Sequence, residues 1–254
     1  MMNEKRREDM VRRIEKLTRY RSLAGATVLE IGADADNISA QLLLDAGARR
    51  VISTNYRPNW PNETNGAIER RHVDARILPD AFEGQSIDIV FGVAVLEHIN
   101  GLAEFFAGSA KVLKPGGLFH VHGGPIWSSS KGHHVFVKGE AMHYRFGVPD
   151  ANPIPNWAHL VSTVTTLAEL LVAKGIPRGD AEKIGAYVYE GEEINRVGYR
   201  TMCETFLASP LKLIEQRDNA FDSPPDDLLV AIEHGCFGGQ QRYDVSGITF
   251  VAET

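Results

Sequence analysis

Histidines cluster in one part of this chain. Five of its nine histidines lie between His120 and His143. Histidine exchanges a proton readily near neutral pH, so this region can supply a general base that removes a proton from a reacting hydroxyl. We regard His133 and His134, in the stretch SSSKGHHVF, as the preferred base candidates, and His122 as about equally well placed. The alternative for the adjacent pair is two surface-loop histidines without a catalytic role.

The same histidines raise the question of a metal. A site made of His133, His134, His143 and His159 with a carboxylate is one alternative. Adjacent histidines on one strand point to opposite faces, however, which disfavours joint ligation. The two cysteines of the chain do not form a CxxC pair. We therefore expect no metal, no cysteine-based zinc site and no disulfide framework.

An acidic turn follows the first strong strand pattern. The stretch VLEIGADADNIS, residues 28–39, predicts a buried strand, a tight turn and a helix. Gly32 lets the backbone come close to a ligand because it has no Cβ. Asp34 and Asp36 follow at alternate positions. Aspartate tolerates left-handed backbone better than most residues, and Asp36 also suits the N-cap of the helix.

Strand and helix patterns alternate through the first half of the chain, which implies a parallel sheet covered on both faces by right-handed crossovers. Two further strands are predicted near the C-terminus, at 211–218 and 243–253. The strands predicted in the first half lie near 26–32, 49–55, 69–75, 86–93 and 118–124, with helices at 36–47 and from 101 to about 113.

The chain divides into four segments by pattern. Residues 1–24 carry an amphipathic N-terminal helix with a basic face, which we expect to be a solvated face packed beside the core. The α/β core covers 25–124. An irregular stretch rich in tryptophan, serine and histidine opens the segment 125–208, predicted to be a lid and acceptor-binding insertion. Residues 209–254 supply the closing strands of the core sheet.

Five stretches in order, taken together, resemble the class I S-adenosylmethionine-dependent methyltransferases of the small-molecule type, with a Leu-Glu-His motif after the fourth strand. The resemblance covers about 28–124, and the closing strands more loosely. It implies a doubly wound, mostly parallel seven-stranded sheet with helices on both faces, the Rossmann-like methyltransferase fold, and S-adenosylmethionine as cofactor. The stretches are VLEIG, DAGARRV, VDA, SIDIVFGVAVLEHI and KVLKPGGLFHV.

The resemblance also implies which residues contact the cofactor. An acid at the position of Glu30 helps to hold the amino-acid end of the cofactor in this family. The second strand usually ends in an acid that binds both ribose hydroxyls, but here it ends in Asn55. A neutral amide lacks charge assistance, so we expect a weaker grip. The other expected cofactor contacts are Gly32, Ala33, Asp34, Asp74, Ala75, Gly92, Val93 and His98.

The implied activity is methylation of a small polar molecule, with oxygen as the expected acceptor atom and a histidine as base. We expect Trp127, Asn195 and Arg196 on the acceptor side. The alternatives for them are packing beneath the lid and polar positions on a helix surface.

Two other functions remain open. One is a non-catalytic binding or regulatory protein on the same fold, with a cofactor loop degraded at Asp34, Asp36 and Asn55. The other keeps the cofactor but performs a cyclisation or rearrangement. The histidine-rich region favours an enzyme, whereas the three departures favour the degraded loop.

Net charge and apolar stretches indicate which classes of binding partner to expect. The net charge is −6, which argues against broad nucleic-acid binding. The apolar stretch IVFGVAVL is far shorter than the ~20 residues that span a bilayer, and MMNEKRREDM contains no apolar signal region. We therefore expect a cytoplasmic protein with a small-molecule acceptor and with no nucleic-acid or membrane partner; a homo-oligomer is possible.

Overall fold

An eight-stranded sheet forms the centre of the computed structural model, which describes residues 2–140, 142–220, 222–235, 237–239 and 242–254. Cys236, one of the two cysteines, lies outside these ranges. The strands are β1 Thr27–Ile31, β2 Arg50–Asn55, β3 Glu63–Asn65, β4 Ile68–His72, β5 Ile87–Gly92, β6 Leu113–Gly123, β7 Phe136–Lys138, β8 His143–Arg145, β9 Lys212–Ala220 and β10 Val245–Glu253.

Helices flank the sheet on both faces. No helix in the described ranges is long and apolar enough to cross a membrane. The helices are α1 Met2–Thr18, α2 Ile38–Asp45, α3 Leu78–Ala81, α4 Leu102–Val112, α5 Ala158–Val161, α6 Val164–Ala173, α7 Arg178–Glu190, α8 Tyr199–Leu207 and α9 Asp226–Glu233.

The strand order is β3-β4-β2-β1-β5-β6-β10-β9. Five adjacent strands in this order run parallel to one another: β4, β2, β1, β5 and β6. The remaining strands, β3, β10 and β9, pair antiparallel with their neighbours. This confirms the predicted doubly wound, mostly parallel sheet. The predicted count of seven strands was one too low, because β3 has only three residues, all exposed, and so has no apolar pattern. The chain changes direction across the sheet between β1 and β5, which places a switch point there.

The core has one layer on each face of the sheet. On one face, Leu29 and Phe119 pack with residues of α3, α4 and α8. On the other face, Val28 and Phe91 pack with residues of α1 and α2. Strand β1 is buried along its whole length, as expected for a central parallel strand covered on both sides.

The segment predicted as a lid has a core of its own. Trp127, Tyr144, Leu171 and Ile184 belong to one buried apolar cluster, which also includes Ile232 of α9. The described part of the segment is therefore a packed layer and not an exposed loop.

Helix α8, at the end of this segment, packs against the sheet. The ring of Phe206 lies parallel to that of Phe250 in β10, with centroids 4.1 Å apart, and Met202 is buried in the same cluster. The helix begins at Tyr199, and residues 192–198 before it form an irregular link.

Two glycines with the same backbone angle test the packing around the first turn. Gly25 and Gly32 both have φ of +72°, yet a Cβ at Gly32 would lie 2.4 Å from Cγ1 of Val95, while one at Gly25 meets nothing within 4 Å. We expect Gly25→Ala to lower the free energy of unfolding by about 1 kcal/mol through left-handed strain alone. Gly32→Ala should lower it by roughly 1–3 kcal/mol more, because the added methyl group overpacks. Urea unfolding of both variants measures the difference, and equal losses would contradict the contact with Val95.

Candidate functional site

The carboxyl ends of β1, β2, β4 and β5 meet at the switch point, where open parallel sheets bind their ligands. The turn after β1 begins at Gly32, whose left-handed backbone redirects the chain toward α2. Ala33 follows; it is buried, and its N–H donates to the carbonyl of Thr54 at 2.9 Å. The first turn is thus joined to the neighbouring strand β2.

Glu30 lies beneath this turn and is buried. One carboxylate oxygen accepts a hydrogen bond from Oγ of Ser53 at 2.6 Å, and the other accepts from Oγ of Ser39. Burial raises the pKa of the Glu30 carboxyl, and the two hydroxyl donors oppose that rise. The side chain joins β1, β2 and α2; its contact with the amino-acid end of a cofactor stays a prediction.

The acidic turn has a counter-charge on α1. Arg6 forms ion pairs with both acids of the turn, Asp34 and Asp36; its Nη1 lies 3.1 Å from Oδ2 of Asp36. The basic face of α1, expected to be solvated, therefore reaches this acidic turn. The predicted N-cap was one residue early, because Asn37 occupies that position with φ of +55° and Asp36 accepts from the N–H of Ile38 at 3.2 Å.

Asn55, at the end of β2, is buried and bonded to two loops. Its Nδ2 donates to the carbonyl of Ala33 at 2.9 Å, and its Oδ1 accepts from the N–H of Arg57 at 3.0 Å. An amide has one more proton and one more lone pair than these bonds use. The residue holds the first turn in place, and its contact with a ribose stays a prediction.

Asp74 shapes the edge beyond β4. Its carboxylate accepts from the N–H of Arg76 at 2.9 Å and caps the short 3₁₀ turn Ala75–Ile77. The Arg76 guanidinium holds the pKa of the Asp74 carboxyl below its usual range, so Asp74 carries a negative charge at neutral pH. Asp74 and Ala75, two of the predicted cofactor contacts, lie at the carboxyl edge just after β4, and their contact with a cofactor stays a prediction.

The turn after β5 is the most tightly built part of the edge. Val95 packs beneath it, so closely that a Cβ on Gly92 would lie 2.8 Å from Cγ2 of Val95. Between them, Val93 is half-buried and Ala94 is exposed with φ of +54°. The next three residues, Leu96–His98, form a single 3₁₀ turn.

Asn195 holds this turn from the lid side. Its Nδ2 donates to the carbonyls of Leu96 at 2.6 Å and Ile99 at 2.9 Å, and its Oδ1 accepts from the N–H of Val197 at 3.0 Å. Both amide protons are therefore used within the protein. The side chain thus holds the turn in place, and its role in binding the acceptor stays a prediction.

The side chain of Arg196 is likewise hydrogen-bonded to backbone carbonyls within the protein. Its backbone is left-handed, with φ of +53°, and its guanidinium donates to the carbonyls of Val188 and Gly191 at 2.9 and 2.5 Å. These bonds satisfy carbonyls at the end of α7. The side chain anchors the lid to the link before α8, and its predicted contact with an acceptor has no geometric support here.

The three predicted base candidates lie in different surroundings. His122 of β6 is buried on the face of the sheet that α1 covers. Its Nδ1 accepts a hydrogen bond from the N–H of Ala94 at 3.3 Å, and burial lowers its pKa to about 4. His133 is buried in the lid with its ring centroid 5.4 Å from that of His159, and burial lowers its pKa well below the usual value. His134 is 4% exposed, and its Nε2 lies 3.9 Å from Oε1 of Glu97. His122, through its bond to Ala94, and His134, beside Glu97, both face the turn after β5, whereas His133 faces the inside of the lid.

Comparison with known proteins bears on what this edge binds. A family model for a methyltransferase domain matches residues 29–121, a span that includes the turns after β1 and β5. Over this span the chain is similar to the methyltransferase-domain family. S-adenosylmethionine is the cofactor of this family, and the acidic edge with its tight glycine turn suits a ligand that carries a positive sulfonium.

Individual relatives agree with the family model. A "probable S-adenosylmethionine-dependent methyltransferase" of Mycolicibacterium smegmatis is 34% identical over 106 residues, which cover 39% of this chain and 38% of that relative. An S-adenosylmethionine dependent methyltransferase from Mesorhizobium loti has the same fold, with a TM-score of 0.53, 14% identity and coverage of 92% and 93% of the two chains. Phosphoethanolamine N-methyltransferase 2 of Haemonchus contortus, in complex with S-adenosyl-L-methionine, also has this fold. Its TM-score is 0.54 and its sequence identity is 15%, and the alignment covers 96% of this chain and 52% of that one.

An open groove runs along the lid. Its volume is about 640 Å³. Glu193 lines the groove, and its carbonyl accepts a hydrogen bond from Nδ1 of His98, so the groove adjoins the turn after β5. Burial raises the pKa of the Tyr187 hydroxyl, also in the lining, to about 12, so this phenol is a hydrogen-bonding group and not an anion at neutral pH. The other lining residues are Phe136, Val137, Lys183, Ala186, Glu190 and Gly191.

Trp127, the third residue predicted on the acceptor side, is not in this lining. It is 1% exposed, and its ring centroid lies 4.8 Å from that of His159 and 5.2 Å from that of Phe237. Packing beneath the lid, the alternative weighed from sequence, matches this position.

Two residues at the edge were not singled out from the sequence. Arg6 belongs to a helix whose many basic residues look alike until the fold shows which one reaches the acidic turn. Glu97 is the central residue of the Leu-Glu-His motif, so a signal was present. Its neighbour His98 was predicted as a site residue instead. Glu97 is only 1% exposed, and this burial depends on contacts from the lid that the sequence does not show.

Proposed function

We propose that the chain is an S-adenosylmethionine-dependent methyltransferase that methylates an oxygen of a small polar molecule. The observation that carries the proposal is the acidic carboxyl edge at the switch point, within the span that matches the methyltransferase domain. Bound there, the cofactor supplies a methyl group already activated on a positive sulfur. Asp34, Asp36 and Asp74 would balance that charge, and Gly32 would give the close approach.

The chain's own residues would then position the acceptor and take its proton. The groove beside α7 would hold the acceptor, since Glu193 in its lining is bonded to His98 of the turn. Of the predicted bases we favour His134. Its Nδ1 lies 2.9 Å from the carbonyl of Gly132, which fixes the proton there and leaves Nε2 free to accept one. His122 and His133 suit this role less, because burial lowers their pKa values and makes them weaker bases.

Calorimetric titration with S-adenosylmethionine and S-adenosylhomocysteine tests the proposal. We expect one saturable site for each, with dissociation constants in the range of roughly 1 μM to 1 mM that enzymes show for their substrates. ATP is the matched control, since it carries the same adenosine with negative charges that the acidic edge repels; it should bind at least tenfold more weakly. Absence of heat with both sulfur ligands at millimolar concentration would contradict the proposal and favour the non-catalytic alternative with a degraded loop.

Removal of Arg6 should change the affinity for the positively charged cofactor more than the affinity for its product, which lacks the sulfonium charge. Arg6→Ala frees two carboxylates, so at low salt we expect S-adenosylmethionine to bind about fivefold more tightly, which is about 1 kcal/mol and typical of one exposed charge at close range. S-adenosylhomocysteine, which lacks the sulfonium charge, should change less than twofold.

The control for this experiment is Arg12→Ala. It removes the same charge from α1, where Arg12 pairs with Asp9 and not with the turn. Both variants should keep their free energy of unfolding within about 1 kcal/mol, because exposed ion pairs add little stability. Equal weakening of both ligands in Arg6→Ala would contradict the account, since it would mean that Arg6 holds the carboxylate of the ligand.

A further inference from the structure

Three ligating side chains converge at the turn after β5. Oε1 of Glu97 lies 3.9 Å from Nε2 of His98 and 3.9 Å from Nε2 of His134. One ligating atom from each of the three residues lies within 4.8 Å of the other two. Among the described residues, this is the only set of three or more such groups close enough to share a metal ion.

The carboxylate of Glu97 has no hydrogen-bond partner in the described part of the chain, on either oxygen, although the residue is 1% exposed. The 3.9 Å separations from the two imidazoles are too long for hydrogen bonds. A carboxyl group buried without a partner is destabilising, so proteins normally give it a cation or hydrogen-bond donors. Nothing else in the cluster provides that compensation.

The two histidines present lone pairs and not protons to this carboxylate. Nδ1 of His98 faces the carbonyl of Glu193, and Nδ1 of His134 lies 2.9 Å from the carbonyl of Gly132. A carbonyl only accepts, so each neutral imidazole carries its proton on Nδ1 and leaves Nε2 unprotonated. Metal-bound histidines are oriented in this way, by a carbonyl on the second ring nitrogen.

The backbone holds the cluster in place. His134 is left-handed, with φ of +48°, a conformation that a residue with a Cβ rarely adopts and that surrounding contacts must enforce. Asn195 fixes the turn that carries Glu97 and His98 through its two bonds to Leu96 and Ile99. The lid and the core therefore position the three ligating atoms together.

We propose that Glu97, His98 and His134 bind a divalent transition-metal ion. Two imidazole nitrogens and one carboxylate are the ligands that Mn²⁺, Fe²⁺, Co²⁺ and Zn²⁺ accept, whereas Mg²⁺ and Ca²⁺ prefer oxygen alone. Bonds of about 2.1 Å require the atoms to approach one another by roughly an ångström, which rotations of these side chains provide. Three protein ligands leave positions open for an oxygen-donor ligand.

The open side of the ion would face the groove, because His98 is the one ligand with a substantially exposed side chain, at 38%, and it adjoins Glu193. A role in holding the acceptor oxygen rests on the proposed function. There the ion would take over from His134 as the activating group, since a cation lowers the pKa of a hydroxyl bound to it. Metal binding itself depends only on the three side chains.

Titration of the chelator-treated full chain with Co²⁺, followed by calorimetry and visible absorption, tests the site without cofactor or acceptor. We expect one Co²⁺ per chain, an absorption spectrum of nitrogen and oxygen ligation, and a rise in melting temperature. Glu97→Gln and His134→Gln should each weaken binding at least tenfold. His72→Gln is the matched control, because it changes an exposed histidine on β4 and should bind Co²⁺ as the unaltered chain does.

Stability in chelator separates loss of a ligand from loss of the fold. Without metal, Glu97→Gln should melt no lower than the unaltered chain, because it replaces a buried carboxyl group that has no hydrogen-bond partner, yet it should lose the rise with Co²⁺. The half-exposed His98→Gln variant provides the same readout should a buried variant not fold. No Co²⁺ bound at millimolar concentration, or equal binding by Glu97→Gln and His134→Gln, would overturn the metal site. That result would leave the proposed methyltransferase function, with His134 as base, unaffected, because the calorimetric titration with S-adenosylmethionine tests that function separately.

Discussion

The turn after β5 carries a constraint on which the centre of the molecule depends: the carboxylate of Glu97 is buried beside two imidazoles, without a hydrogen-bond donor among the described residues. A group of this kind persists only where the surroundings hold it. Val95 packs beneath the turn, against the first turn at Gly32, and Asn195 binds it from the lid side. The cofactor turn, the lid and the carboxylate are thus parts of one packed unit.

The charges of the first turn are partly compensated. Asp34 and Asp36 place two carboxylates in this turn, and the single guanidinium of Arg6 in α1 pairs with both from across the edge. Because both acids are partly exposed, the pairing contributes little to stability but much to the local field. The acidic substitutions therefore fit a cationic ligand, with α1 as a moderating charge.

The sequence predicted the parts of the fold that depend on local pattern. The buried run at β1 and the alternation of strand and helix up to β6 follow from apolar periodicity, and the parallel sheet follows from that alternation. Strand β3 escaped prediction because its three residues are all exposed and show no apolar pattern.

The site depends on contacts between distant segments, and there the sequence was a weaker guide. His133 and His134 are adjacent in the chain, yet one faces His159 inside the lid and the other faces Glu97. Asn195 resembled a ligand-binding residue until its bonds to Leu96 and Ile99 showed that it holds a turn about a hundred residues away. Such roles follow from the tertiary structure and not from periodicity.

A crystal structure of the protein with S-adenosylhomocysteine would test the central claim, that the carboxyl edge holds an adenosyl sulfur ligand, most directly. The account predicts density for the adenosine between the turn at Gly32 and Asp74, with the sulfur directed at the Leu96–His98 turn. Density elsewhere, or an edge without ligand in which Arg6 still joins Asp34 and Asp36, would contradict it.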